Sequence, residues 1–174
     1  MILKKACEYK VDIHQFYIDF KQAYVTINRA ELMEIMKEFG IPMKLVRLVK
    51  MTLANTNSKV KIQGKLSLSF ETAIGLRQGD SLSTILFNLC MEKIIRNVRI
   101  NPEGMIFNRT RQCLAYADDV VILGRSEGYI KKTLEQMAAI THQISLQMND
   151  TKTKYMINRH DENKVKVTEL MGKK

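Results

Sequence analysis

The chain has 174 residues, is 45% apolar, and carries 28 Lys and Arg against 18 Asp and Glu, a formal charge of +10. That length suits one domain, the apolar share excludes a disordered tail, and the basic excess points to a polyanionic partner such as nucleic acid, although basic runs such as 131–132 and 152–154 serve equally well as solvated faces. Cys7, Cys90 and Cys113 are widely spaced with no Cys-x-x-Cys pair, no apolar run is long enough for a membrane span, and MILKKACEYK lacks a signal-type stretch, which predicts a soluble intracellular protein with reduced thiols.

In chain order, QFYIDF at 15–20 is an aromatic and branched run suited to a buried strand, which puts Asp19 at a strand end. Asn28 followed by Glu31 reads as the N-cap of a helix that stops at Phe39, and Gly40 and Pro42 separate it from a second helix over about Met43 to Leu53. From Lys59 to Ala73 the residues alternate around Gly64-Lys65, predicting a hairpin with one buried face. After GLRQGD at 75–80, apolar positions 82, 85, 86, 89 and 94 mark an amphipathic helix to about Val98, capped by Asp80 or Ser81.

CLAYADDVVIL at 113–123 reads as two short strands joined by a carboxylate-bearing turn. Ile130, Leu134, Met137 and Ile144 give a further helical stripe, KYMIN at 154–158 a last strand, and the charged residues past Arg159 a loose tail. With 29–80 set aside, the order strand, helix, hairpin, helix, strand predicts an α+β fold of the ferredoxin-like βαββαβ kind, with helices on one face of an antiparallel sheet and an inserted helical pair and hairpin. Such a sheet brings Asp19 beside Asp118 and Asp119 across a hundred residues of sequence.

Three carboxylates at one sheet edge repel one another unless a cation neutralises them, and oxygen-only ligands suit magnesium or manganese. Two such ions would activate an attacking hydroxyl and stabilise a leaving pyrophosphate, as nucleotidyl transfer requires. An isolated Asp-Asp pair in a turn is ordinarily turn chemistry, because Asp tolerates turn geometry. Here its setting is more specific.

FYIDFKQAYVTIN resembles motif A of reverse transcriptases, GLRQGDSLSTILFNLCME resembles motif B and LAYADDVVILGRS resembles motif C, in the family's order and over most of the chain. The Ala of YADD, the form of motif B and NDTKTKYMI as motif D resemble the non-LTR (LINE-like) retrotransposon branch rather than the retroviral one. The resemblance implies a polymerase palm that transfers nucleotides with two Mg2+ ions, or Mn2+, to a DNA primer on an RNA template, using deoxynucleoside triphosphates and no membrane. Asp19 and Asp118 would be the principal metal ligands, with the Phe20 carbonyl assisting and Asp119 as the third acid.

By the same resemblance, Tyr24 matches the aromatic gate against a ribose 2′-OH, against the plainer reading of a core tyrosine. Gln78 and Gly79 match the motif B turn that contacts template and nucleotide, where glycine permits close backbone approach, and Arg77 would add a phosphate contact or simply lie on the rim. Lys152 or Lys154 falls where a motif D lysine would protonate or neutralise the departing pyrophosphate. Val25 departs from the Asp that the family carries after the gate aromatic, which leaves open a repacked turn or relaxed selection. Fingers, thumb, endonuclease and Cys/His-rich segments are not recognisable, so residues 1–174 are expected to be a single partial domain with 160–174 a loose tail and weak triphosphate binding of its own. The alternatives to an active polymerase are an inactive or co-opted nucleic-acid-binding remnant and a decaying gene fragment.

Overall fold

The computed structural model describes residues 2–98, 113–159 and 166–168. In chain order they form α1 (Ile2–Glu8), β1 (Ile13–Ile18), β2 (Phe20–Lys21), α2 (Ala23–Thr26), α3 (Arg29–Glu38), α4 (Met43–Leu53), β3 (Asn57–Ser58), β4 (Lys61–Ile62), β5 (Lys65–Leu66), β6 (Phe70–Glu71) and α5 (Ser81–Asn97). These are followed by β7 (Cys113–Tyr116), β8 (Asp119–Gly124), α6 (Glu127–Gln143), β9 (Gln147–Met148), β10 (Lys154–Asn158) and β11 (Lys166–Thr168). They divide into two compact units, Met1–Lys21 with Met91–Lys174, and Gln22–Cys90.

The first unit is built on an antiparallel sheet of order β11-β10-β1-β8-β7. Central β1 lies between β10 and β8, with Ile13, Gln15, Phe16 and Ile18 buried, His14 half-buried and Tyr17 exposed. Phe16, Ile18, Val120, Ile122 and Tyr155 face one way, and α6 packs there through Ile130, Leu134 and Met137. Each such side chain contributes about 1.5–3 kcal/mol on burial. Gly124 makes the approach of α6 possible, since a Cβ there would lie 2.5 Å from the Tyr129 ring. On the opposite face Ala6 of α1 packs with Ile13 and Leu123. A separate two-residue ladder joins β2 to β9.

In the second unit, the Asn28 side chain accepts from the amides of Ala30 and Glu31 at 2.9 and 3.4 Å and opens α3, the cap expected from sequence. Leu32, Met33, Ile35 and Met36 are its buried face, whereas α4 buries Val46 alone. α5 begins at Ser81, with Asp80 accepting from the Leu82 amide.

Several expectations need correction. The hairpin of 59–73 resolves into the two-residue ladders β3–β6 and β4–β5, its tight turn is Gln63-Gly64 rather than Gly64-Lys65, and residues 61–70 are all exposed, with Leu68 at 91%. Alternation fixes which side chains share a face but supplies no element to cover that face. α1 and β9 were not expected, and α1 places a helix on the second face of the sheet. The tail expected to be loose from 160 contains β11, paired with β10; the rest of it lies outside the described residues. No helix among the described residues is long and apolar enough to cross a membrane.

Candidate active site

The carboxylates come together through strand register. β1 ends at Ile18, which lies opposite Val120, so the following Asp19 and the preceding Asp119 stand at the same end of neighbouring strands. The β7–β8 hairpin pairs Tyr116 with Asp119, leaving Ala117 and Asp118 as a two-residue turn. Ala117 has a left-handed φ of 52°, a conformation that costs a residue bearing a Cβ roughly 1–2 kcal/mol and that is often stored at functional sites. Asp118 is half-buried, whereas Asp119 and Tyr116 are exposed.

Asp19 is held by the loop after β9. The Asn149 amide N–H donates to the Asp19 carbonyl at 2.8 Å, and its side-chain Nδ2 donates to Asp19 Oδ2 at 3.0 Å. Lys152 Nζ lies 3.9 Å from the same oxygen, an ion pair of small worth because the lysine side chain is 70% exposed. Among the described residues no three His, Cys, Asp or Glu side chains are grouped closely enough to hold one metal ion. The sheet therefore aligns Asp19, Asp118 and Asp119 at one end without gathering them into the expected cluster.

In the second unit Tyr24 sits in α2 with its ring stacked on Phe87 of α5, centroids 4.5 Å apart and planes at 21°. The residue as a whole is half-buried. The 75–76 segment runs against the same stretch: Leu76 N donates to the Tyr24 carbonyl at 2.7 Å and Gly75 N to the Ile27 carbonyl at 2.8 Å. A Cβ on Gly75 would lie 2.4 Å from the Val25 carbonyl oxygen. Val25 contributes this backbone contact while its side chain is exposed. Arg77, Gln78 and Gly79 are exposed, and Gly79 has φ 88° with open space around its Cα. Gly79 thus meets a conformational need, while close backbone approach within the unit falls to Gly75.

Sequence reasoning missed Arg29. Its guanidinium donates to the carbonyls of Leu53, Thr72, Ile74 and Gly75 and to Thr56 Oγ1, at 2.6 to 3.3 Å. It ties the end of α4 to the segment leading into the Gln78-Gly79 turn. Burial, and after it the nearby Arg77 charge, lowers its pKa from the ordinary value. Asn149 likewise reads in sequence only as the first residue of the NDTKT segment. Lys154 lies exposed on β10, and Lys152 is the lysine beside the Asp19 carboxylate.

The family model described as reverse transcriptase (RNA-dependent DNA polymerase) matches residues 4–171. The chain belongs to the reverse transcriptase family. Among curated proteins this reverse transcriptase segment is 26% identical over 135 residues to the Pol polyprotein of retrotransposable element R2DM from Drosophila melanogaster, covering 78% of the chain and 13% of that protein. It is 24% identical over 165 residues to the R2 Pol polyprotein of Nasonia vitripennis, covering 92% and 16%. These relatives belong to the non-LTR branch that the motifs resemble, and the chain spans only a small part of their length. Among solved structures, telomerase from Candida tropicalis truncated from its C-terminal domain superposes with TM-score 0.69 at 16% identity, over 90% of this chain and 33% of that one. The same telomerase in complex with a TWJ fragment of telomeric RNA gives 0.70 at 15%, over 90% and 28%. These likenesses show a palm-type polymerase fold.

Proposed function

We propose that this reverse transcriptase segment is the catalytic palm of an RNA-directed DNA polymerase, acting on an RNA template, a DNA primer and deoxynucleoside triphosphates. The observation that carries the reading is the alignment of Asp19 and the Asp118-Asp119 pair at one end of adjacent strands, in a chain matched by the family over 4–171. The strand order β10-β1-β8-β7, with α5 and α6 in the two crossovers, supports a ferredoxin-like βαββαβ core. On this reading residues 1–174 act together as part of one polymerase domain.

The donor set fits a hard divalent cation, since every candidate ligand is an oxygen. Asp19 and Asp118 would hold the two Mg2+ ions, with the Phe20 carbonyl and Asp119 completing the set. When bound, the ions supply Lewis acidity that activates the primer 3′-hydroxyl and offsets charge on the departing pyrophosphate. Tyr24, its ring fixed on Phe87, excludes a ribose 2′-OH, and the Arg77-Gln78-Gly79 segment offers accessible donors to template and nucleotide. Lys152 is the better placed of the two motif D lysines to bring positive charge to the site.

Primer extension on an RNA template with magnesium, by this chain or by the longest protein that contains it, tests the proposal. Asp118→Ala is expected to lower the rate by on the order of 10²-fold or more with the template–primer still bound. Wild-type extension by Asp118→Ala would exclude it. Nucleic-acid binding without extension by the unsubstituted protein would favour a co-opted binding module.

A further inference from the structure

We propose that Asn149 is a positioning residue for Asp19, and that Thr151 braces the Asn149 side chain in place. This rests on the reading of Asp19 as a metal ligand. Asn149 grips Asp19 twice, through its backbone amide at 2.8 Å and through Nδ2 at 3.0 Å. An asparagine amide does this only with its nitrogen turned toward the carboxylate; the reverse orientation would set two acceptors against each other. The acceptor-only carboxylate decides between the two, and Thr151 braces the amide in that orientation, its hydroxyl donating to Asn149 Oδ1 at 2.8 Å.

The turn itself is closed on the same residue: the amides of Lys152 and Thr153 donate to the Asn149 carbonyl at 3.2 and 2.9 Å. The β2–β9 ladder, pairing Phe20 with Met148, anchors the loop beside Asp19 from the other direction. Oδ2 of Asp19 is thereby committed to Asn149, with Lys152 nearby, while Oδ1 has no hydrogen-bond partner among the described residues. A carboxylate with one oxygen pinned and the other open is set in direction and remains a charged acceptor for a cation. Outer partners of this kind typically alter metal affinity by about 10- to 100-fold when removed.

The test is Mn2+ binding to the full chain, followed by electron paramagnetic resonance, with RNA–DNA hybrid binding by anisotropy and thermal melting measured on the same samples. Asn149→Ala should weaken Mn2+ binding about tenfold or more with hybrid affinity unchanged. Thr151→Val should weaken it several-fold, and Thr151→Ser, which keeps the hydroxyl, should restore it; a merely structural threonine would not separate valine from serine. Because Thr151 is exposed, this pair keeps the test decisive even if Asn149→Ala fails to fold. Asp19→Asn is the reference. If it abolishes Mn2+ binding while Asn149→Ala and Thr151→Val bind as the unsubstituted chain, the positioning role is wrong and the metal site stands. If Asp19→Asn itself binds Mn2+ normally, the underlying reading falls and the positioning role with it.

Discussion

A methyl group at position 75 would meet the Val25 carbonyl oxygen at 2.4 Å and would have to adopt φ 80°. Both penalties act together, so Gly75→Ala should cost roughly 2–5 kcal/mol in a denaturant melt. Gly79→Ala carries only the conformational part, about 1–2 kcal/mol, because nothing lies within 4 Å of its Cβ position at φ 88°. Equal melting losses for the two variants would contradict the steric account. The contrast shows what sequence conveys at the level of single residues. GLRQG announces two glycines of equal standing, and only the tertiary approach of residues 24–27 distinguishes them. The acids draw notice in sequence only because Asp19, the GLRQG loop and the YADD turn fall in one family's order, whereas Arg29 reads as a helix-surface cation and Asn149 as a turn residue. Their roles lie in partners up to 130 positions away.

At the scale of elements, α3 and α4 begin and end where Asn28, Gly40 and Pro42 direct, since caps and breakers act locally. α1 and β9 escape because seven- and two-residue segments carry too little periodicity to be read. The seam between β1 and β10 has a polar fastening of its own, the hydrogen bond between His14 Nδ1 and the Tyr155 hydroxyl. Burial lowers the His14 pKa from 6.5, with Asp12 and Glu127 pulling the other way and Arg159 adding to the depression. The unfolded chain therefore binds the proton more tightly: stability from this group is complete above about pH 6.5 and is lost as the pH falls below it toward the folded value. Denaturant midpoints should decline between about pH 7 and 5, and His14→Gln should flatten that decline. An identical pH profile in the variant would remove His14 from the account.

The whole molecule carries a charge of +10, and the apolar hairpin face and the exposed Arg77-Gln78-Gly79 segment leave much of its chemistry at the surface. If RNA–DNA hybrid is its partner, affinity should fall at least about tenfold between roughly 50 and 200 mM salt through counterion release, as fluorescence anisotropy would record; salt-independent binding would refute an electrostatic contact. The β4–β5 hairpin gives the same variable a second meaning. Ile62 and Leu66 are exposed on its short ladder and Leu68 just beyond it, and Lys59, Lys61 and Lys65 are interleaved with them in sequence. Such lysines act as gatekeepers, keeping the sticky ribbons of two copies apart by repulsion. That repulsion reaches about 10 Å at 0.1 M salt and about 3 Å at 1 M. Salt high enough to release a nucleic-acid partner would also disarm these lysines, so colloidal solubility and freedom from bound nucleic acid would pull in opposite directions.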